Sequence, residues 1–196
     1  IFPHLHPVDA LQPALTEPLD AGIKVISLDS AVNKDSRQTH IQQADPEKIG
    51  RGLIQAAYEM VDGNGGIAVL SATAQATNQN LWIEWMKKEL EENPEKYANT
   101  PLIKVAYGDD DPTKSTSETQ ALLTDSSIKV IIAPTTVGML AAGKVLQDKQ
   151  SDVKLTGLGL PSEMAPFIED GTCPWMYLWN PVDIGYLSGY TMDALV

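Results

Sequence analysis

Six short apolar stretches, separated by segments of helical periodicity, constrain this chain more than any other feature. The stretches are IKVISL (23–28), GIAVLS (66–71), LIKVAY (102–107), KVIIAP (129–134), KLTGLGL (154–160) and WMYLW (175–179). Their continuity is informative. A strand half-exposed to water alternates apolar with polar residues, whereas a strand of a parallel sheet buried on both faces reads as one apolar run. Helical patterns fill 46–61, 77–93, 112–125, 136–149, 162–170 and 181–195. This alternation predicts an α/β fold in which a parallel sheet carries helices on both faces.

The helix starts agree with that parse. Asp45-Pro46, Asp111-Pro112 and Asn180-Pro181 each set a capping side chain before a proline at the first helical position, where a missing N–H breaks no hydrogen bond. Gly63, Gly65 and Gly66 release the chain from one helix into the next strand. Within 77–93, Leu81, Trp82, Trp85, Met86 and Leu90 recur on one helical face, so both tryptophans are read as core.

With 196 residues, 43% of them hydrophobic and 20% charged, the chain suffices for one sizeable domain or two small lobes. Lys+Arg 14 against Asp+Glu 26 leaves a net charge of -12. A field of that sign repels phosphate backbones and anionic membranes, which argues against nucleic acid as a partner. No apolar run approaches the roughly 20 residues of a membrane span. The opening IFPHLHPVDA lacks the build of a signal peptide, so the protein is expected either to be cytosolic or to have lost an export signal. The single cysteine, Cys173, leaves no internal disulfide and no cysteine-rich metal site. His4, His6 and His40 are read as ordinary surface residues, and Asp109-Asp110-Asp111 as a solvated turn whose charge favours the helix after it. No metal and no cofactor is expected.

In an open α/β sheet, ligands sit outside the carboxyl ends of the strands. The loops there carry no phosphate cradle of the Walker form G-x-x-x-x-G-K-S/T, no G-x-G-x-x-G and no G-x-S-x-G, and no histidine stands at a strand end as a base. Asp29 and Asp183 are a conceivable carboxylate pair, but nothing in the sequence sets their separation. The chain is therefore read as a binder and not an enzyme. What the loops offer is Asp29, Asn78, Gln79, Asn80, Thr135, Thr136, Trp179 and Asn180. Amides and a carboxylate satisfy sugar hydroxyls, while an indole face covers the apolar side of a ring. Capping and turn formation compete with that role, most evidently at Thr135 and Asn180.

At these residues the chain resembles the type I periplasmic substrate-binding proteins of ABC sugar importers. The resemblance runs through DALQPALTEPLDAGIKVISLDSAV, ATNQNLWIEWM, VIIAPTTVGMLAAGKVL and GLGLPSEMAPFIEDGTCPWMYLWNPVDIGY. The first of these is generic, whereas APTTVG, GLGLPSEM and LWNP are more specific and point to the rhamnose-binding branch, a neighbour of the autoinducer-2-binding branch. The resemblance implies two α/β lobes closing on a sugar. It implies ligand contacts from Asp29, from Asn78 and Gln79 (where autoinducer-2 relatives carry Asp-Gln), from Pro134 and Thr136, and from Trp179 or Asn180 at a hinge crossing. Gly159 stands where many members have a ligand aspartate, so the junction GLGLPSEM is expected to shape the pocket floor by lacking a side chain.

The resemblance further implies that residues 33–177 form a complete second lobe, while 1–32 and 178–196 are parts of a first lobe otherwise absent, as in a fragment. The expected function is capture of a monosaccharide, L-rhamnose before autoinducer-2, and its delivery to an ABC permease. The expected place is the periplasm, or the outer surface of a Gram-positive cell by a lipid anchor, and the intact protein is expected to be a monomer. The alternative from another class is the effector-binding core of a LacI-type transcription regulator, which shares the fold.

Overall fold

The computed structural model describes residues 7–196, so His4 and His6 lie outside the described residues. Its centre is a four-stranded parallel sheet built from β3 (Gly66–Ser71), β4 (Leu102–Tyr107), β5 (Ile128–Ala133) and β6 (Lys154–Gly157), in the order β4-β3-β5-β6. Four of the six apolar stretches thus become adjacent strands. Because side chains alternate across a strand, each run splits between the two faces. Ile67, Val69, Val130 and Ile132 pack on one side with Leu53, Ile54, Trp82 and Met86. These last four come from α2 (Pro46–Met60) and α3 (Thr77–Glu92). On the other side Ala68, Leu70, Ile131 and Leu155 pack with Leu122, Met139, Leu146 and Phe167. That layer is α4 (Pro112–Leu122), α5 (Thr136–Asp148) and α6 (Pro161–Glu169). β4 is an edge strand, and its outward Lys104 and half-covered Ile103 fit that position.

The three expected caps form. Asp45 Oδ1 accepts from Glu47 N at 3.0 Å, Asp111 Oδ1 from Lys114 N at 2.7 Å, and Asn180 Oδ1 from Val182 N at 3.0 Å. The acidic run is structural throughout: Asp109 pairs with Lys114 Nζ, Asp110 accepts from the Thr135 hydroxyl, and Asp111 is the cap. Two glycines allow close approach. A Cβ on Gly50 would lie 2.5 Å from the Trp82 carbonyl oxygen, so α2 and α3 touch backbone to backbone there. Gly157 has φ +146°, and a Cβ on it would lie 2.0 Å from the Ala133 carbonyl oxygen, which only glycine permits.

Three sequence expectations need correction. WMYLW is not a strand: only Tyr177 forms a bridge, to Leu158, and Trp175, Tyr177 and Leu178 are each 42% exposed. An exposed segment with one bridge keeps too few ladder bonds to count as a strand, although Tyr177 N donates to Gly157 O at 2.8 Å. Trp85 is not core like Trp82; it is half-buried, with Arg51 over its ring at 5.2 Å and Lys88 at 4.1 Å. Finally, two elements were not foreseen. α1 (Gln12–Asp20) precedes β1 (Ile26–Leu28), and β1 pairs in parallel with β2 (Thr39–Ile41). The pair forms a second, two-stranded sheet against which α7 (Pro181–Leu195) packs.

Candidate functional site

The strand order fixes where a ligand belongs. The chain leaves β3 on one side, returns as β4, then crosses to the other side of β3 as β5. The carboxyl ends of β3 and β5 therefore diverge, one feeding α3 and the other α5, and such a switch point opens a crevice. The first turn of α3 brings Asn78 and Gln79 to that edge, both buried. Gln79 is committed to the scaffold: its Oε1 accepts from Ser71 Oγ at 2.6 Å and from Ala72 N at 2.8 Å.

Asp29 arrives from the other sheet. It follows β1 directly, is buried, and holds a left-handed backbone at φ 62°. Asp and Asn tolerate that region better than other non-glycine residues, yet it remains strained and is typical of functional positions. Asp29 and Asn78 line one cleft of about 380 Å³. Ala31, His40 and Gln42 complete the wall on the β1–β2 side, and Thr77, Asn80, Leu81 and Glu84 the wall on α3. The lining holds two carboxylates and no lysine or arginine. Such a cleft suits an uncharged ligand with many hydroxyls and opposes an anionic one.

The other expected contacts are placed elsewhere. Pro134 is buried at the end of β5, and Thr136, half-buried at the start of α5, faces a groove shared with Pro112, Thr113 and Leu160. Trp179 lies tilted against Trp82, ring centres 5.9 Å apart, and lines an apolar pocket of about 180 Å³ with Ile49, Leu53 and Leu158. Asn180 caps α7. The space left by the missing side chain of Gly159 is taken up by Met164, whose Cγ would be 2.5 Å from a Cβ there, and by Met176. That glycine therefore makes room for methionine packing.

His40 and Gln42 were not expected in a site. β2 has three residues, of which only Ile41 is apolar, and Gln42 follows it directly, so an apolar-run criterion passes over both. The usable signal is the matched alternation Ser27/Asp29 and His40/Gln42. Half-buried, His40 has its pKa lowered by burial and by the nearby charge of Arg37, against smaller opposing effects of Gln42, the Ser27 backbone and Asp29. Among the described residues no group of three His, Cys, Asp or Glu side chains is placed to hold a metal ion, and no helix is long and apolar enough to cross a membrane.

This layout is matched by known proteins. Residues 5–196 match the periplasmic binding protein domain. The chain belongs to the periplasmic binding protein family. Among solved structures it is similar to a solute-binding protein of an ABC transporter from Clostridium phytofermentas with bound L-rhamnose, at 50% identity and a TM-score of 0.90 over 96% of this chain and 60% of that one. A sugar ABC transporter protein from Actinomyces odontolyticus is 40% identical, TM-score 0.76, over 96% and 61%. LsrB from Clostridium saccharobutylicum, in complex with AI-2, is 24% identical with a TM-score of 0.83 over 95% and 61%, a likeness of fold alone. The chain thus spans about three fifths of the length of these relatives. Its fold is that of the type I periplasmic binding proteins, present here in part.

Proposed function

We propose that this chain is the sugar-capturing portion of the solute-binding component of an ABC importer, acting outside the cytoplasmic membrane, and that its sugar is L-rhamnose. The observation that carries this reading is the 50% identity to a relative with bound L-rhamnose. The chemistry of the cleft is consistent with it. Asp29 accepts from sugar hydroxyls, and the Asn78 amide both donates and accepts. Binding needs no bond to be made or broken, so no catalytic group is invoked. Closure of one lobe on the other would bury the sugar and strengthen each polar contact by excluding water.

The four-stranded unit with α2 to α6 would be one lobe. The β1–β2 pair, α1 and α7 would belong to the other, with crossings after β2 and at Tyr177–Asn180. The lobe that holds Asn78 and the strand that presents Asp29 would then meet across the cleft, and a permease would read the closed form. Titration calorimetry of L-rhamnose, ribose and autoinducer-2 into the full-length protein tests this. The expected result is heat from L-rhamnose and a loss of about tenfold or more in affinity in Asp29→Asn and Asn78→Ala. Silence towards all three sugars in the folded protein would overturn the reading.

A further inference from the structure

The β1–β2 pair has a polar face that the two expected contacts do not account for. Ser27 and Asp29 are two residues apart, as are His40 and Gln42, and Ser27 stands opposite His40 in register. Ser27 and His40, paired in register, share one face of the strands, while Asp29 and Gln42 lie just past the ends of β1 and β2. Ile26 and Leu28 border Leu15 of α1 and Met192 of α7 in a groove that Ser27 also touches. A strand pair buried on both sides would be apolar on both; a polar face is what a cleft wall requires. Asp29, His40 and Gln42 do line the cleft, with Thr77, Asn78 and Glu84 opposite. Ser27 Oγ and His40 Nδ1 are 2.9 Å apart and hydrogen-bonded, which fixes the ring and leaves Nε2 as its second polar atom.

We propose that His40 is a further recognition residue of this cleft, oriented by Ser27 so that its imidazole hydrogen-bonds a ligand hydroxyl beside Asp29. The inference rests on the sugar-binding reading above. The ring is suited to the task at neutral pH. Its lowered pKa, due first to burial and then to Arg37, keeps it uncharged at pH 7 and sets its protonation below 6.5. The charged groups around it are Arg37, Asp29 and, across the cleft, Glu84. Once protonated, the ring draws the Asp29 carboxylate into an ion pair and competes with the sugar for it. Affinity therefore falls as pH drops through the lowered pKa of the ring.

The test is calorimetric titration of L-rhamnose into the full-length protein and into His40→Ala, His40→Gln and Ser27→Ala, each at pH 7.5 and 5.5, with thermal melts as folding controls. At pH 7.5, His40→Ala is expected to bind about tenfold more weakly, Ser27→Ala to lose less, and His40→Gln to stay within about threefold of the parent. The parent loses affinity at pH 5.5 while His40→Gln does not. Unchanged affinity in a folded His40→Ala, or the same pH dependence in His40→Gln as in the parent, overturns this inference and leaves the sugar reading standing. If His40→Ala does not fold, the pH comparison with His40→Gln decides alone. A parent protein that binds none of L-rhamnose, ribose and autoinducer-2 overturns the sugar reading and this inference with it.

Discussion

The side-chain carbonyl of Gln79 accepts the Ser71 hydroxyl at 2.6 Å, tying the first turn of α3 to the carboxyl end of β3. The same oxygen takes the Ala72 N–H, so one amide satisfies two buried donors at the switch point. Gln79→Ala would leave both without a partner in a site closed to water. The expected cost is about 1–3 kcal/mol of stability, measured by urea unfolding. Because Asn78 precedes it on the same turn, affinity for the proposed sugar should fall as well. An unchanged unfolding midpoint would show that the two donors find other acceptors.

Gly157 ends β6 with φ +146°, and a Cβ there would meet the Ala133 carbonyl oxygen at 2.0 Å. Gly157→Ala combines a backbone conformation that L-residues avoid with a contact that no rotamer can relieve. Destabilisation of at least about 3 kcal/mol is expected, read from chemical denaturation. Gly171→Ala is the control: its φ is also positive, at +78°, but nothing lies within 4 Å of a Cβ, so only the conformational cost applies.

Arg51 on α2 gathers Glu47, Glu89 and Glu92 at 2.9, 2.6 and 2.6 Å and so clamps α2 to α3. Burial acts to raise the Glu89 pKa, but hydrogen bonds from Arg51 and from the Tyr97 hydroxyl, with the positive charges of Arg51 and Lys96, leave it lowered below 4.5. A carboxyl whose folded pKa is depressed adds stability that is fully present above its unfolded pKa and lost as pH falls through the folded one. Stability conferred by Glu89 is thus present at pH 7 and disappears below 4.5. Glu89→Gln should melt lower than the parent at pH 7, with the gap closing in acid. A gap independent of pH would assign the effect of Glu89 to packing.

The parts of this fold that the sequence announces are those where burial is complete. β3 and β5, buried throughout apart from Lys129, stand out as apolar runs, and the capped starts of α2, α4 and α7 are each signalled by an Asx-Pro pair. β2 is hidden because Thr39-His40-Ile41 is half-buried and one of its faces lines a cleft. WMYLW misleads for the opposite reason: its side chains are apolar but largely exposed, and apolarity by itself cannot tell a strand from a surface segment. At the site, the sequence points to Asp29 and Asn78, which share the cleft. It cannot reveal that Gln79 is spent on Ser71 or that Trp179 rests on Trp82, because those pairings form only once separate elements pack together.

Cys173 offers a probe of the second core layer without altering it. The thiol is fully buried beside Leu155 and Phe167 and donates to the Trp175 carbonyl at 3.2 Å. Burial, with a smaller contribution from the negative charge of Asp170, pushes its pKa up to about 11. At pH 8 only about one thiol in a thousand is then ionised in the folded protein, and the thiolate is the nucleophile. Alkylation by iodoacetamide in native buffer should therefore be very slow. It should accelerate to the rate of a free cysteine once urea exposes α6 and β6. Since Cys173 precedes the Trp175–Trp179 segment, the midpoint of that acceleration reports whether this edge of the sheet opens with the whole unit or before it. Coincidence with the tryptophan fluorescence transition would establish a single cooperative unit. Labelling at lower urea would identify the α6 edge as a separately opening part.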